Sequence, residues 1–175
     1  MENTATSVTP SSVGIRYGVL TGLVSIIYSF ILLATQQEGN TTLSLLAFLI
    51  WIGGIWMAHK YFKAHNEGFM SYGQGITIGV LLSLVSGILG ATFRYIYMEF
   101  IDPAAMQRGM EMARTKLEEK GNLSDEQIDQ AVAMSQKFSA GPVGLVIAIV
   151  SAVVIGLILS LIISAITKNT RPEFE

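Results

Sequence analysis

The sequence predicts an all-α integral membrane protein: four transmembrane helices, with an extramembrane amphipathic helical hairpin between helices 3 and 4. Three observations predict it. Hydrophobic residues make up 51% of the chain and charged ones only 14%, against ~25% charged in soluble domains. Apolar runs at about 15–35, 43–62, 74–98 and 143–167 reach or approach the ~20 residues a helix needs to cross a bilayer. Between the third and fourth runs, residues 99–140 hold most of the acids and repeat apolar residues at helical spacing. The 175 residues form a single membrane domain, 1–175, with 99–140 inserted in it. A net charge of −2, without a basic cluster interleaved with aromatics, excludes nucleic acid as a partner. The absence of cysteine excludes disulfides, thiolate metal sites and a cysteine nucleophile.

Residues 1–13 are Ser/Thr-rich and lack a positive n-region, which predicts a short disordered arm before a retained helix. In the first span Gly14, Gly18 and Gly22 repeat every fourth residue, so they stack on one face and let another helix approach closely. Thr21, Ser25 and Ser29 run beside them and can bond back to their own helix carbonyls. Gln36 to Thr42 is a polar turn. The second span carries Trp51, Trp56, Tyr61 and Phe62, the last of which suit a headgroup region. A short, mostly basic connection follows, with His59, Lys60, Lys63, His65 and Glu67.

The third span is the organising element. Its entry, Glu67-Gly68-Phe69-Met70-Ser71-Tyr72-Gly73-Gln74-Gly75, is punctuated by glycine, and Gly75, Gly79, Ser83, Gly87 and Ala91 then form a small-residue stripe. Beyond it, Asp102-Pro103 predicts a helix start with a capping carboxylate. Met106, Met110, Ala113 and Leu117 give one apolar face, and Gly121-Asn122 stops that helix. Ser124-Asp125-Glu126-Gln127 is a capping box for a second helix, whose apolar face is Ile128, Ala131, Val132, Ser135 and Phe138. Gly141-Pro142 breaks the pattern. The fourth span repeats the stripe as Gly144, Ala148, Ala152, Gly156, Ser160 and Ser164.

Orientation follows from Lys and Arg at the span ends. Arg16, Lys60, Lys63, Lys168 and Arg171 fall on one side of a four-span arrangement, and the first loop on the other side has none. The hairpin's basic residues stand mostly away from the spans and are outnumbered by acids, so the pattern predicts both termini inside.

Two residues are candidates for function. Arg94 is the ionisable residue nearest a membrane core, where a charge marks function by default; its structural alternative is an arginine reaching to the headgroups, helped by Glu99 or Asp102. Glu67 is either a partner for Lys60 or Lys63 or a cation site at the mouth of the third span. His59 and His65 lack the spacing of a helical metal pair and read as surface or headgroup residues. The glycines at 68, 73 and 75 match neither phosphate-loop nor dinucleotide spacing, and the chain shows no cofactor motif. Gly18, Gly22, Gly75, Gly79, Gly87, Gly144 and Gly156 are assigned to helix packing, with a homodimer seam as the alternative. Met106, Met110, Leu117, Ile128 and Val132 are assigned to partner binding, because methionine-rich faces adapt to other proteins.

The Glu67-Gly68-Phe69-Met70-Ser71-Tyr72-Gly73-Gln74 entry, Pro103 after the third span and the acidic helical hairpin before the fourth carry a resemblance. From about Ile15 to Thr167 the chain resembles a family of uncharacterised bacterial membrane proteins, domain of unknown function 4199. The resemblance implies a multi-pass protein of the bacterial inner (cytoplasmic) membrane, with no assigned activity and no residue roles to transfer.

The expected function is therefore non-enzymatic: scaffolding, or binding a membrane or periplasmic protein partner through the hairpin, with the lipid bilayer around the spans. The alternative is a small oligomeric transporter or channel. Against it stands the lack of Asp or Glu within the four runs, since transporters bury such groups near the midplane. No Ser/His/Asp grouping or His-Glu-x-x-His motif supports an enzyme.

Overall fold

The computed structural model of the chain describes residues 8–171. Its helices are α1 (Pro10–Ala34), α2 (Thr41–Ala64), α3 (Tyr72–Ile96), α4 (Ala104–Lys120), α5 (Asp125–Ser139) and α6 (Gly141–Thr167). Between α3 and α4 lies a five-residue π turn, Tyr97–Ile101. Four helices are long and apolar enough to cross a membrane, and counting the π turn the third of them runs from Tyr72 to Ile101.

Two of the expected boundaries shift with consequence. α1 begins at Pro10, so residues 10–13 are helix rather than arm; Thr9 caps them, its hydroxyl accepting from Ser12 N at 3.2 Å. The rest of the expected arm, residues 1–7, lies outside the described residues. The third helix carries three residues beyond the expected end at 98, because Asp102 N donates to Tyr97 O at 2.8 Å and extends the turn by one residue per hydrogen bond. Glu99 thereby falls inside the third long helix, where the sequence pattern had none.

α3 occupies the centre and packs most extensively against α1 and α6. The reason is the spacing of small residues. Gly14, Gly18 and Gly22 of α1 rest on the larger α3 residues Leu81, Val85 and Leu89; a methyl added at Gly18 would stand 2.7 Å from Val85 Cβ. The other face of α3 meets α6. Gly75 lies against Ser164, Gly79 against Ser160, Gly156 against Ser83, and Gly87 against Ala152. The partners advance by four residues in opposite directions, so two antiparallel small-residue stripes mesh rung by rung. Each rung pairs a glycine with Ser or Ala, which brings the backbones close and gains dispersion contact where lipid offers no hydrophobic drive. Gly144 departs from the expected pattern: its neighbour is the backbone of Ser139, at the end of α5, rather than α3.

Two buried clusters mark the two ends of the bundle. Val13, Ile55, Ala58, Phe62, Met70, Ile78, Leu82 and Ile163 fill the end at which α1 begins and α6 finishes. Leu33, Tyr97 and Ala105 form the smaller cluster at the opposite end, where α4 and α5 sit. Ser71 and Ser124 both head capping boxes, with Gln74 and Gln127 as the returning side chains. Gly121 ends α4 at φ +64, a left-handed conformation that glycine adopts without strain. α4 starts on Pro103, which offers no side-chain cap; the Asp102 carboxylate lies at the Ala104 and Ala105 amides and takes Arg108 as its main partner.

Candidate functional site

The terminal end is clasped shut. Met70 and Asn169 exchange backbone hydrogen bonds at 2.8 and 2.9 Å, and Asn169 Nδ2 donates to Gly68 O at 3.0 Å. Glu67 pairs with Arg171 rather than with Lys60 or Lys63, and both partners are exposed. The chain reaches this pairing through positive φ at Glu67 (53°) and Gly68 (85°). Glycine at 68 adopts that conformation freely, whereas Glu67 is held in it by the turn.

Behind the clasp lies His59, which corrects the expectation of a surface histidine: it is fully buried. Its Nε2 stands 2.9 Å from Gly75 O, an acceptor only, so this nitrogen donates. Its Nδ1 lies 2.8 Å from Thr167 Oγ1, which is also 2.8 Å from Ile163 O. One ring thus ties α2 to α3 and α6. Lys63 Nζ adds a bond to Thr167 O at 3.0 Å. A histidine four residues before a lysine near a span end gives no sign of burial; the partners that bury it come from two distant helices.

The opposite end is built differently. Arg108 of α4 forms two bonds with Asp102, at 2.6 and 3.4 Å, and its guanidinium comes within 3.9 Å of Glu38 in the first loop. Lys116 Nζ donates to Gly39 O at 2.8 Å. Both contacts fasten α4 to the loop joining α1 and α2. The Arg108 hydrogen bonds hold the Asp102 carboxyl below the usual carboxylate range, and the same pair raises the Arg108 guanidinium. Glu38 is only 11% exposed in its side chain, and neither of its carboxylate oxygens has a hydrogen-bond partner. α5 is held to α4 by Arg114, which bonds Glu118 at 2.8 Å and Asp129 at 2.9 Å.

Under α4 and α5 a cavity of about 480 Å³ opens between α3 and α6. It starts at Ala91 and Ala148, just past the last close rung, Gly87 on Ala152. Arg94 and Glu99 line it, with Tyr95, Met98, Met106 and Met110. Arg94 is exposed to this opening and joins no ion pair among the described residues.

The expected partner-binding residues are mostly turned inward. Ile128 is buried, Leu117 and Val132 are half-buried, and Met106 and Met110 face the cavity. Met134 and Phe138, one turn apart on α5, are the exposed ones at 63% and 49%. Arg94 and Glu67, the two candidate functional residues, lie at opposite ends of α3 and do not meet. No group of acids and histidines suited to a metal occurs among the described residues.

Four long apolar helices, three of them meshed through small residues, define a multi-pass membrane protein. The family model described as Protein of unknown function (DUF4199) matches residues 16–169, and the chain belongs to that family. No curated protein and no solved structure matches it.

Proposed function

We propose that this is a non-enzymatic binding protein of the bacterial cytoplasmic membrane, with both termini inside and the α4–α5 pair outside as an extramembrane hairpin. The observation that carries the reading is the contrast within that pair: α4 is fastened to the bundle by Arg108 and Lys116, while α5 leaves Met134 and Phe138 uncovered. An anchored helix that holds a second one with a methionine–phenylalanine edge suits a protein partner. The basic residues support the orientation, since Arg16, Lys63 and Arg171 all sit at the terminal end, bonded to Tyr61, Thr167 and Glu67.

A transporter finds less support. The α3–α6 seam is closed by its glycine rungs, and the cavity stops at Ala91 and Ala148. A photocrosslinker at Met134 in intact cells, compared with one at the lipid-facing Leu49, tests the proposal. A protein adduct at Met134 that disappears with Phe138→Ser supports it. Lipid adducts alone at both positions refute it.

A further inference from the structure

The inner face of the α4–α5 pair carries a second feature, which shares Phe138 with the outer edge but not Met134. The cavity beneath it, about 480 Å³, is within the size range of small-molecule sites, roughly 300–1,000 Å³. Its wall holds one cation, Arg94, and one anion, Glu99, and the two do not pair with each other. The other charges of this end, Glu38, Asp102, Arg108 and those further along α4 and α5, lie outside the wall. Both side chains are exposed to the opening rather than packed, and at the edge of a membrane span an exposed charge gains from a polar partner. A simple anion would satisfy Arg94 and repel Glu99; a zwitterion satisfies both without adding net charge.

We propose that this cavity binds a phospholipid whose head carries both a phosphate and a primary ammonium, the phosphate on Arg94 and the ammonium on Glu99. The planar guanidinium fork matches phosphate oxygens in pairs, and a primary ammonium donates three hydrogen bonds of the kind a carboxylate accepts. The rest of the wall suits an acyl chain. Met98, Met106 and Met110 are unbranched and adaptable, and the cavity runs down to Ala91 and Ala148 in the apolar spans. The π turn has a part in this, because Glu99 belongs to it and π turns recur at functional sites. Free phosphoethanolamine has the same head, but it would leave the methionine wall uncovered.

Native mass spectrometry of the full chain in detergent tests the proposal, with lysophosphatidylethanolamine, lysophosphatidylglycerol and free phosphoethanolamine as probes. The expected result is one bound lysophosphatidylethanolamine, held roughly 10-fold or more tighter than lysophosphatidylglycerol, as one added charge-assisted contact implies. Arg94→Gln weakens both lipids by roughly 10- to 100-fold, and Arg94→Lys by less. Glu99→Gln removes the preference for the amino head while leaving lysophosphatidylglycerol binding in place. Met110→Trp fills the cavity and abolishes both, which covers the case in which the charge variants fail to fold. Equal binding of the two lipids by the wild-type chain overturns the proposal, as does a preference that survives Glu99→Gln. Free phosphoethanolamine bound as tightly as the lipid would overturn the lipid as its source. Crosslinking at Met134 is read separately, so failure of either idea leaves the other standing.

Discussion

The same two helices, α3 and α6, behave in opposite ways at their two ends. From Gly75 on Ser164 to Gly87 on Ala152 they mesh, because each rung offers a glycine to a small side chain. Two turns further, Arg94 and Tyr95 of α3 and Met98 of the π turn take the place of small residues, the helices part, and α4 and α5 span the opening. Side-chain size alone, read four residues at a time, separates a seam from a site. The terminal end then gains a polar lock around His59, whereas the α4–α5 end keeps Arg94 and Glu99 without an ion pair among the described residues.

Breaking the seam has the largest expected effect. Gly79→Leu drives its side chain into Ser160 and lowers stability by about 3 kcal/mol, the upper part of the usual overpacking range; the thermal midpoint in detergent records it. Gly90→Ala meets open space on the same helix and changes stability by no more than ~0.5 kcal/mol. If both substitutions cost the same, the seam is misassigned. Next comes the lock: His59→Leu removes the imidazole bond to Gly75 O and leaves Thr167 with one partner fewer, which costs roughly 2 kcal/mol in the same assay.

Arg108→Gln acts on the other end without touching the seam. It releases α4 from Asp102 and Glu38, so hydrogen exchange speeds up in α4 and α5 and stays slow in α3. Acid reproduces part of this. Asp102 has a lowered folded-state pKa, so its contribution is present at neutral pH and is lost only as pH falls below the ordinary carboxylate range. Exchange in α4 that rises instead with increasing pH, beyond the intrinsic chemical rate, would contradict that sign. The smallest effect belongs to Glu67→Gln. It removes an exposed ion pair with Arg171, worth at most about 1 kcal/mol, and the thermal midpoint barely moves.

What could be read from the sequence was what repeats locally. The four long apolar helices, the capping box at Ser124, the stop at Gly121 and the packing stripes through Gly79 and Gly156 are all settled within a few residues of themselves. The long-range pairings were not legible. Glu67 had two lysines near it in sequence and paired with Arg171 instead. His59 looked like an interfacial residue until α3 and α6 closed over it. Met106 and Met110 were visible as an apolar face, but the face turns toward α3 and α6 because Arg108 and Lys116 fix the roll of α4 against the first loop. The cavity depends on where two helices diverge. Arg94 was legible as a charge in the wrong solvent, and Glu99 was not, since its place in the helix depends on one π turn.

The proposed function requires the open end to face water on the side opposite the termini. The natural absence of cysteine makes that directly measurable. A single cysteine at Met134 should react in intact cells with a membrane-impermeant maleimide, and one at Thr170 should react only after the membrane is permeabilised. Labelling of Thr170→Cys from outside, with Met134→Cys protected until permeabilisation, would contradict the account.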